Sequence, residues 1–429
     1  MYKPKDRDTY VLFPELFPFG GQLDERNRWL RISELIPWAE LEGEYLKYFS
    51  SVGRPAKDAQ LILGLLLLKH MTKLSDREML VTVMENPYMQ AFCGFHSMAT
   101  SVTLDASTLT QARKRLGPKF FRELEKKTYA VLIERGIIRA RGMLADATVF
   151  PEEIKFPTDV GLLNDVRRWA VRTIKTLGGK FRTHRRKAEK EFLSFSKTKR
   201  KTRKIIRKAK KAMLQYVRRN LGQLGELVKK IPDIEKKVLD YLAVSKDILL
   251  QQAEMYKAKA NRIANRIVSL FRPYVRPIKT GKQAKETEFG AKGALTLVDG
   301  FLFLDFWKHE AYNEADHVGR HMGAYAERFG KLPPYFVADM KYGTRKNRTD
   351  LETLEVRPSF KPLGRKTKQR DDAWFKKKQK ERNRIEGGFG HGKEHFGLAR
   401  VRYKGEATSE VWVRLGLMAM NLMTARKRA

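Results

Sequence analysis

Strand-forming character comes in two blocks, with a long gap between them. Gly142 to Phe150, GMLADATVF, is a short apolar run rich in strand formers, and strand character returns only at Glu288 to Val298 and Phe301 to Trp307. From about Leu162 to Arg272 there is little. In that gap the apolar residues keep helical spacing. Leu214, Val217, Leu221, Leu224 and Val228 form one seam, and Leu249, Ala253, Tyr256, Ala260, Ile263, Ile267 and Leu270 a second over three heptads. Gly178-Gly179 and Pro232 are expected breaks between coiled-coil-like arms. Any sheet built by this chain must accommodate that helical stretch between its first strand and its second.

The same stretch gathers charge. Gly161 to Lys230 holds about 24 Lys+Arg against 4 Asp+Glu, roughly half of the formal net charge of +39. One-sided basicity of this kind repels itself without an anionic partner, so nucleic acid is the expected partner. A membrane surface is the weaker candidate, because the cations are spread over many segments and no run of about 18 apolar residues occurs. The longest apolar run, Leu61 to Leu68, is followed at once by Lys69 and His70 and reads as a buried helix. The first residues, MYKPKDRDTY, carry charges where a signal peptide needs an apolar region. A single cysteine, Cys93, excludes intrachain disulfides and thiolate metal clusters. A cytoplasmic, nucleoid-associated location is expected.

Residues 1 to 117 read as helical, with helices over Leu61 to Met71, Asp76 to Glu85 and Ser107 to Leu116, the last with Ser107 as N-cap. That helix ends in Arg113, Lys114 and Arg115, a basic face on which Arg113 and Arg115 are candidate DNA contacts. Cys93, in MQAFCGF, reads as a buried, inert thiol.

Three acids stand out from the rest. Asp146 is the single charge in an otherwise apolar strand, a costly placement unless it is paired, solvated or metal-bound. Asp339 ends YFVAD, a short apolar strand introduced by Pro333-Pro334, where acids face the crevice of an open sheet. Asp299-Gly300, by contrast, is a hairpin turn signal, and Asp305 lies in the hairpin strand that follows. Helices are expected at about Ala315 to Phe329 and Val411 to Met423, a further strand at Val356 to Phe360, and a basic linker at Lys361 to Lys380.

The third acid lies in QKERNRIEGGFGHGK. Gln379, Arg382, Glu386 and Lys393 project from one stripe of a helix, which holds a carboxylate among cations. Gly387, Gly388, Gly390 and Gly392 each cost a helix interior about 1 kcal/mol relative to Ala, so Lys393 is expected to be the least securely placed of the four. Gly387 to Lys393 fits the first part of a phosphate-loop motif, but Glu394 stands where Ser or Thr is needed. His391 and His395 could ligate zinc but lack an evident third ligand. Two strand-borne acids and one helix-borne acid are the donor set that two-metal phosphodiester chemistry requires, with magnesium taking carboxylate oxygens and keeping several waters.

At these residues the chain resembles the bacterial insertion-sequence DDE transposases, within them the group named after insertion sequence five. The resemblance is carried by GRPAKDAQLILGLLLLKHMTKLSDREM, STLTQARKRLG, LADATVFPEEIKFPTDVGLLN, YFVADMKYGTRKN and RIEGGFGHGKEHFGLARVRYKG. The family's Tyr-x2-Arg-x3-Glu-x6-Lys pattern is matched by Arg382, Glu386 and Lys393, with Gln379 in place of the tyrosine.

The resemblance implies an α/β fold with a ribonuclease-H-like mixed sheet. It implies a catalytic triad of Asp146, Asp339 and Glu386 holding two Mg2+ or Mn2+ ions. Arg382 and Lys393, with Gln379 at the aromatic position, would contact the transposon end, and Tyr342 and Asn347 follow the second acid as in relatives. The expected division is a helical DNA-binding region over 1–117, the start of the core over 118–160, a basic helical insertion over 161–280 and the rest of the core over 281–429. The implied partners are double-stranded DNA, as transposon ends and target, and a second copy in a homodimer, with no membrane. The alternative is a catalytically inactive DNA-binding protein of the same scaffold, which would have no use for acids in a phosphate-facing site.

Overall fold

The structure, a computed structural model, describes residues 18–50, 52–101, 104–279, 287–361 and 372–429. Half of the expected basic linker, 362–371, lies outside them, and the rest is corrected, because the chain is helical from Asp372. The chain divides into two compact units, one of Met1–Pro151, Lys292–Lys308 and Tyr312–Ala429, the other of Glu152–Ala291 and His309–Ala311.

The first unit begins with helices α1 (Arg28–Ser33), α2 (Trp38–Leu46), α3 (Ala59–Thr72), α4 (Asp76–Glu85), α5 (Pro87–Phe92) and α6 (Ala106–Glu134). Their starts are chemically marked. Asn27, Asp58 and Asn86 cap α1, α3 and α5, and Ser75 with Glu78 forms a capping box on α4. The run Leu61 to Leu68 is almost wholly buried in α3, as a helix apolar on all sides should be. Cys93 is buried beside it. Two expectations are corrected in α6. Its N-cap is Asp105, which accepts a hydrogen bond from the Ser107 N–H at 2.7 Å, so Ser107 lies inside the helix. The helix also runs past Leu116 to Glu134 through a kink, where Gly117 takes φ +62° ahead of Pro118.

The sheet follows. Strands β1 (Met143–Pro151), β3 (Thr287–Val298), β4 (Phe301–Lys308), β5 (Tyr335–Val337) and β6 (Arg357–Pro358) give the order β4-β3-β1-β5-β6. β1, β5 and β6 are mutually parallel, and β3 and β4 form an antiparallel hairpin. Asp299 and Gly300 turn that hairpin with φ +50° and +88°, the two left-handed residues that a tight two-residue loop requires. Phe336, Val337 and Ala338 are fully buried, as expected for a central parallel strand. Helices α11 (Val318–Phe329), α12 (Arg345–Thr353), α13 (Asp372–His395) and α14 (Glu406–Arg426) complete the unit. Asn421 of α14 clasps the sheet, accepting from the Leu302 N–H at 3.1 Å and donating to its carbonyl at 2.7 Å. No helix among the described residues is long and apolar enough to cross a membrane.

The second unit holds α7 (Asp159–Thr176), α8 (Arg185–Lys197), α9 (Arg203–Lys229) and α10 (Lys236–Lys257), with β2 (Arg276–Lys279) paired antiparallel to Thr287–Gly290 of β3. Leu214, Val217, Leu221 and Leu224 of α9 are buried against Leu163, Val166, Ala170 and Ile174 of α7. The second seam is corrected. Helix α10 stops at Lys257, and left-handed Lys259 and Asn265 break the chain before Ile267 and Leu270 reach the same core. The expected breaks at Gly178-Gly179 and Pro232 do fall between helices of this unit. Its interior ions are paired, as burial demands. Asp159 accepts from Lys210 at 2.8 Å and Arg266 at 2.6 Å, and fully buried Glu152 pairs with Arg272.

Candidate active site

Asp146 lies midway along β1, and Asp339 lies just past the end of β5. The strands pair in parallel with Met143 opposite Phe336 and Leu144 opposite Val337. That pairing ends two residues short of both acids, and the charges of Asp146 and Asp339 both reach the buried Tyr342 hydroxyl. Asp339 also caps a single 3-10 turn, Met340–Tyr342, its carboxylate accepting from the Met340 N–H. Two acids separated by the helical unit in sequence thus follow the same paired stretch of two adjacent strands.

Helix α13 supplies the third acid. Ile385 is fully buried and seats the helix, and Glu386 beside it faces outward with its side chain about half exposed. Arg382 lies between the acids, its Nη1 3.1 Å from Glu386 Oε1 and 3.8 Å from Asp146 Oδ2. Farther along α13, Lys393 Nζ donates to Thr148 Oγ1 at 2.9 Å. Thr148 is two residues beyond Asp146 and so on the same face of β1.

Lys393 is therefore not loosely held, and the helix runs unbroken through its glycines to His395. Packing explains why: a Cβ on Gly388 would lie 2.8 Å from Leu302 Cδ1, and one on Gly392 3.0 Å from Leu398 Cδ1. These two glycines let the helix settle directly on the core, which offsets their poor propensity. With Gly387 to Lys393 helical, the segment forms no phosphate loop. His391 and His395 lie on the same helix with ring centroids 4.8 Å apart and planes tilted by 53°.

Burial is the main influence on Asp146 and pushes its carboxyl up to about 6. The nearby charges of Glu314 and Glu386 add to this, while the Ala147 N–H and Arg382 oppose it. A carboxylate so placed is short of positive charge. Glu314, which sequence reasoning passed over, sits in the 3-10 turn Glu314–His317 and pairs with Lys292 of β3 at 2.7 Å. Only the strand order reveals it, since the polar phrase YNEADH carries no signal of its own.

Other expected contacts turn inward. Tyr342 is fully buried. Asn347, also buried, donates to the carbonyls of Ala315 and Tyr342, both at 2.8 Å, and so staples the Glu314 turn to the Asp339 turn. Gln379 donates to the Ser359 carbonyl at 2.7 Å and to its hydroxyl at 3.0 Å, which ties α13 to the end of β6. Arg113 is a correction. It is buried, paired with Asp76 at 2.8 Å and stacked 3.9 Å over Tyr403, so its charge is neutralised inside the protein rather than offered to DNA. Arg115, two residues on and on another face of the helix, is exposed over Phe49.

As the side chains stand, no three His, Cys, Asp or Glu residues among the described residues are gathered closely enough to hold a metal ion. The donor chemistry nonetheless fits a hard divalent cation. Asp146, Asp339 and Glu386 offer carboxylate oxygens, and burial and neighbouring acids disfavour the ionised form of Asp146 in the absence of a cation.

Residues 17–115 match a family model described as a transposase domain (DUF772), and residues 336–423, which contain Asp339 and Glu386, match a transposase DDE domain. An uncharacterized protein, ORF8 in the nfe locus of Rhizobium meliloti, is 36% identical over 159 residues, 36% of this chain and 77% of that protein. No solved structure matches the chain. The chain belongs to the insertion-sequence DDE transposases.

Proposed function

We propose that Asp146, Asp339 and Glu386 are the catalytic acids of this transposase. On this reading they hold two magnesium or manganese ions in a ribonuclease-H-like core of the insertion-sequence-five type, and the enzyme cuts and joins DNA at its element's terminal inverted repeats. The observation that carries the reading is Arg382, which lies within 4 Å of both Asp146 and Glu386, while β5, the parallel neighbour of β1, leads directly into Asp339. The strand order, with a hairpin on one side of β1 and parallel strands on the other, supports the core assignment.

Bound divalent cations supply Lewis-acid polarisation of the phosphate and activation of the attacking oxygen. The chain's own residues position the reaction. β1 holds one carboxylate, the turn after β5 a second, and α13 presents the third from a helix seated on the core. Arg382 is the phosphate-facing cation, since a planar guanidinium can exchange its carboxylate partners for phosphate oxygens. Lys393, at Thr148, sets a second positive point along the same face. Water first breaks a phosphorus–oxygen bond at the element's end and frees a 3′ hydroxyl. That hydroxyl then attacks a target phosphate, forming one phosphodiester as another breaks.

Residues 1–117 serve to bind the ends. The helical segment 161–280 holds duplex backbone through exposed cations of α9, among them Lys204, Lys208, Lys211 and Arg218. A homodimer joins the two ends. The test is a cleavage and joining assay on the element's own ends with magnesium. Asp146→Ala, Asp339→Ala and Glu386→Ala should each abolish cleavage while retaining DNA binding. Cleavage by all three variants would show the assignment to be wrong.

A further inference from the structure

Glu314 has no part in the proposed triad, yet the fold delivers it to the same place. Asn347 joins the turn that follows Glu314 to the turn that follows Asp339, through paired bonds to the Ala315 and Tyr342 carbonyls. Lys292 fixes the approach from the sheet, with its ammonium 2.7 Å from the Glu314 carboxylate and donating to the Tyr312 carbonyl at 3.2 Å. The Glu314 side chain is only 17% exposed.

A second observation points to a ligand. Tyr342 is fully buried, and its hydroxyl has no hydrogen-bond partner among the described residues. Burial, then the charges of Glu314, Asp146, Tyr312 and Asp339, hold that hydroxyl well above its ordinary range, so it lies within electrostatic reach of three carboxylates. Tyr312 has a buried hydroxyl without a partner as well, pushed up by burial and then by Glu314. Against three acids and two unpaired hydroxyl groups the chain sets two cations, Lys292 at Glu314 and Arg382 at Asp146, so the surroundings are short of positive charge.

We propose that Glu314 is a fourth carboxylate of the catalytic site and binds the same divalent cation as Asp146, exchanging Lys292 for the metal when the ion enters. The inference rests on the reading of Asp146 as a cation ligand. It assigns Tyr342 and Asn347 to positioning this pocket.

The test is Mn2+ binding to the full-length, DNA-free protein, followed by electron paramagnetic resonance. Four proteins are compared: the unaltered chain, Glu314→Gln, Asp146→Asn and Lys292→Met. Glu314→Gln should weaken Mn2+ binding by about 10-fold or more, as Asp146→Asn does, whereas Lys292→Met, which frees the carboxylate, should bind as well as the unaltered chain or better. Normal binding by Glu314→Gln beside a weakened Asp146→Asn would overturn the fourth ligand and leave the proposed function standing. Normal binding by both would remove Asp146 as a ligand and the inference with it. Equal losses in Glu314→Gln and Lys292→Met would reduce Glu314 to a structural ion pair and overturn the inference.

Discussion

Helices α9 and α13 are both basic, but they use their charge in opposite ways. On α13 the polar stripe is engaged within the protein: Arg382 with two acids, Lys393 with Thr148 and Gln379 with Ser359. On α9 one side is buried apolar core, and Lys204, Lys208, Lys211 and Arg218 stand exposed on the others. Engaged cations sit at defined positions and can act on one phosphate. Exposed cations on a helix surface have long-range attraction but little geometry. On the proposed function the contrast separates chemistry from holding, and each half can be broken alone.

The largest effect is expected on the α13 side. Asp339→Ala or Glu386→Ala should lower single-turnover cleavage by about 10³-fold or more with DNA affinity retained. A joint loss of affinity and cleavage would erase the contrast. On the α9 side, replacing Lys204, Lys208, Lys211 and Arg218 with Gln should flatten the dependence of log affinity on log salt by about 3 to 4. Cleavage at saturating protein should be unchanged. An unaltered salt slope would mean those cations do not meet phosphate.

A smaller effect sharpens the picture of Asp146. Its carboxyl is raised in the folded protein, so ionisation costs stability. That cost is absent below the unfolded value near 4 and complete above about 6. With divalent ions chelated, Asp146→Asn should therefore gain about 2 kcal/mol at pH 7.5, and the gain should shrink as pH falls through 6 towards 4. A gain independent of pH, measured by thermal unfolding, would remove the electrostatic explanation. Smallest is the glycine pair on α13. Gly388→Ala should destabilise by about 1 to 2 kcal/mol through its clash with Leu302, whereas Gly387→Ala, with open space at its Cβ, should stabilise by up to about 1 kcal/mol. Equal melting temperatures would mean that the close approach of the helix to Leu302 is not required.

The sequence was most legible where one residue type had a single comfortable explanation. Asp146 alone in an apolar strand, Asp339 at a strand end and Asp299-Gly300 between two strand runs each carried their own physical argument, and the structure pairs the strands that carry or lead into the first two acids. It was least legible where the deciding partner lay far along the chain. Arg113 and Arg115 look alike in sequence, and only Asp76 and Tyr403 bury one of them. The apolar spacing beyond Lys257 imitates a heptad, yet its last members reach the core from irregular backbone. The glycines of α13 read as weakness because propensity is local, while Leu302 and Leu398 are tertiary neighbours. Glu314 gave no signal because its meaning lies in Lys292, Asn347 and Tyr342.

The central claim is that Asp146 holds a divalent cation during strand cleavage, and a metal-specificity switch tests it most directly. Cys93 is buried, so Asp146→Cys adds a single accessible thiol. Thiolate is a poor ligand for magnesium and a better one for softer ions. The expected result is cleavage of the element's end that is lost in Mg2+ and partly restored in Mn2+ or Cd2+, with no such restoration in Asp146→Ala. Equal activity of the Cys and Ala variants in every metal would contradict it.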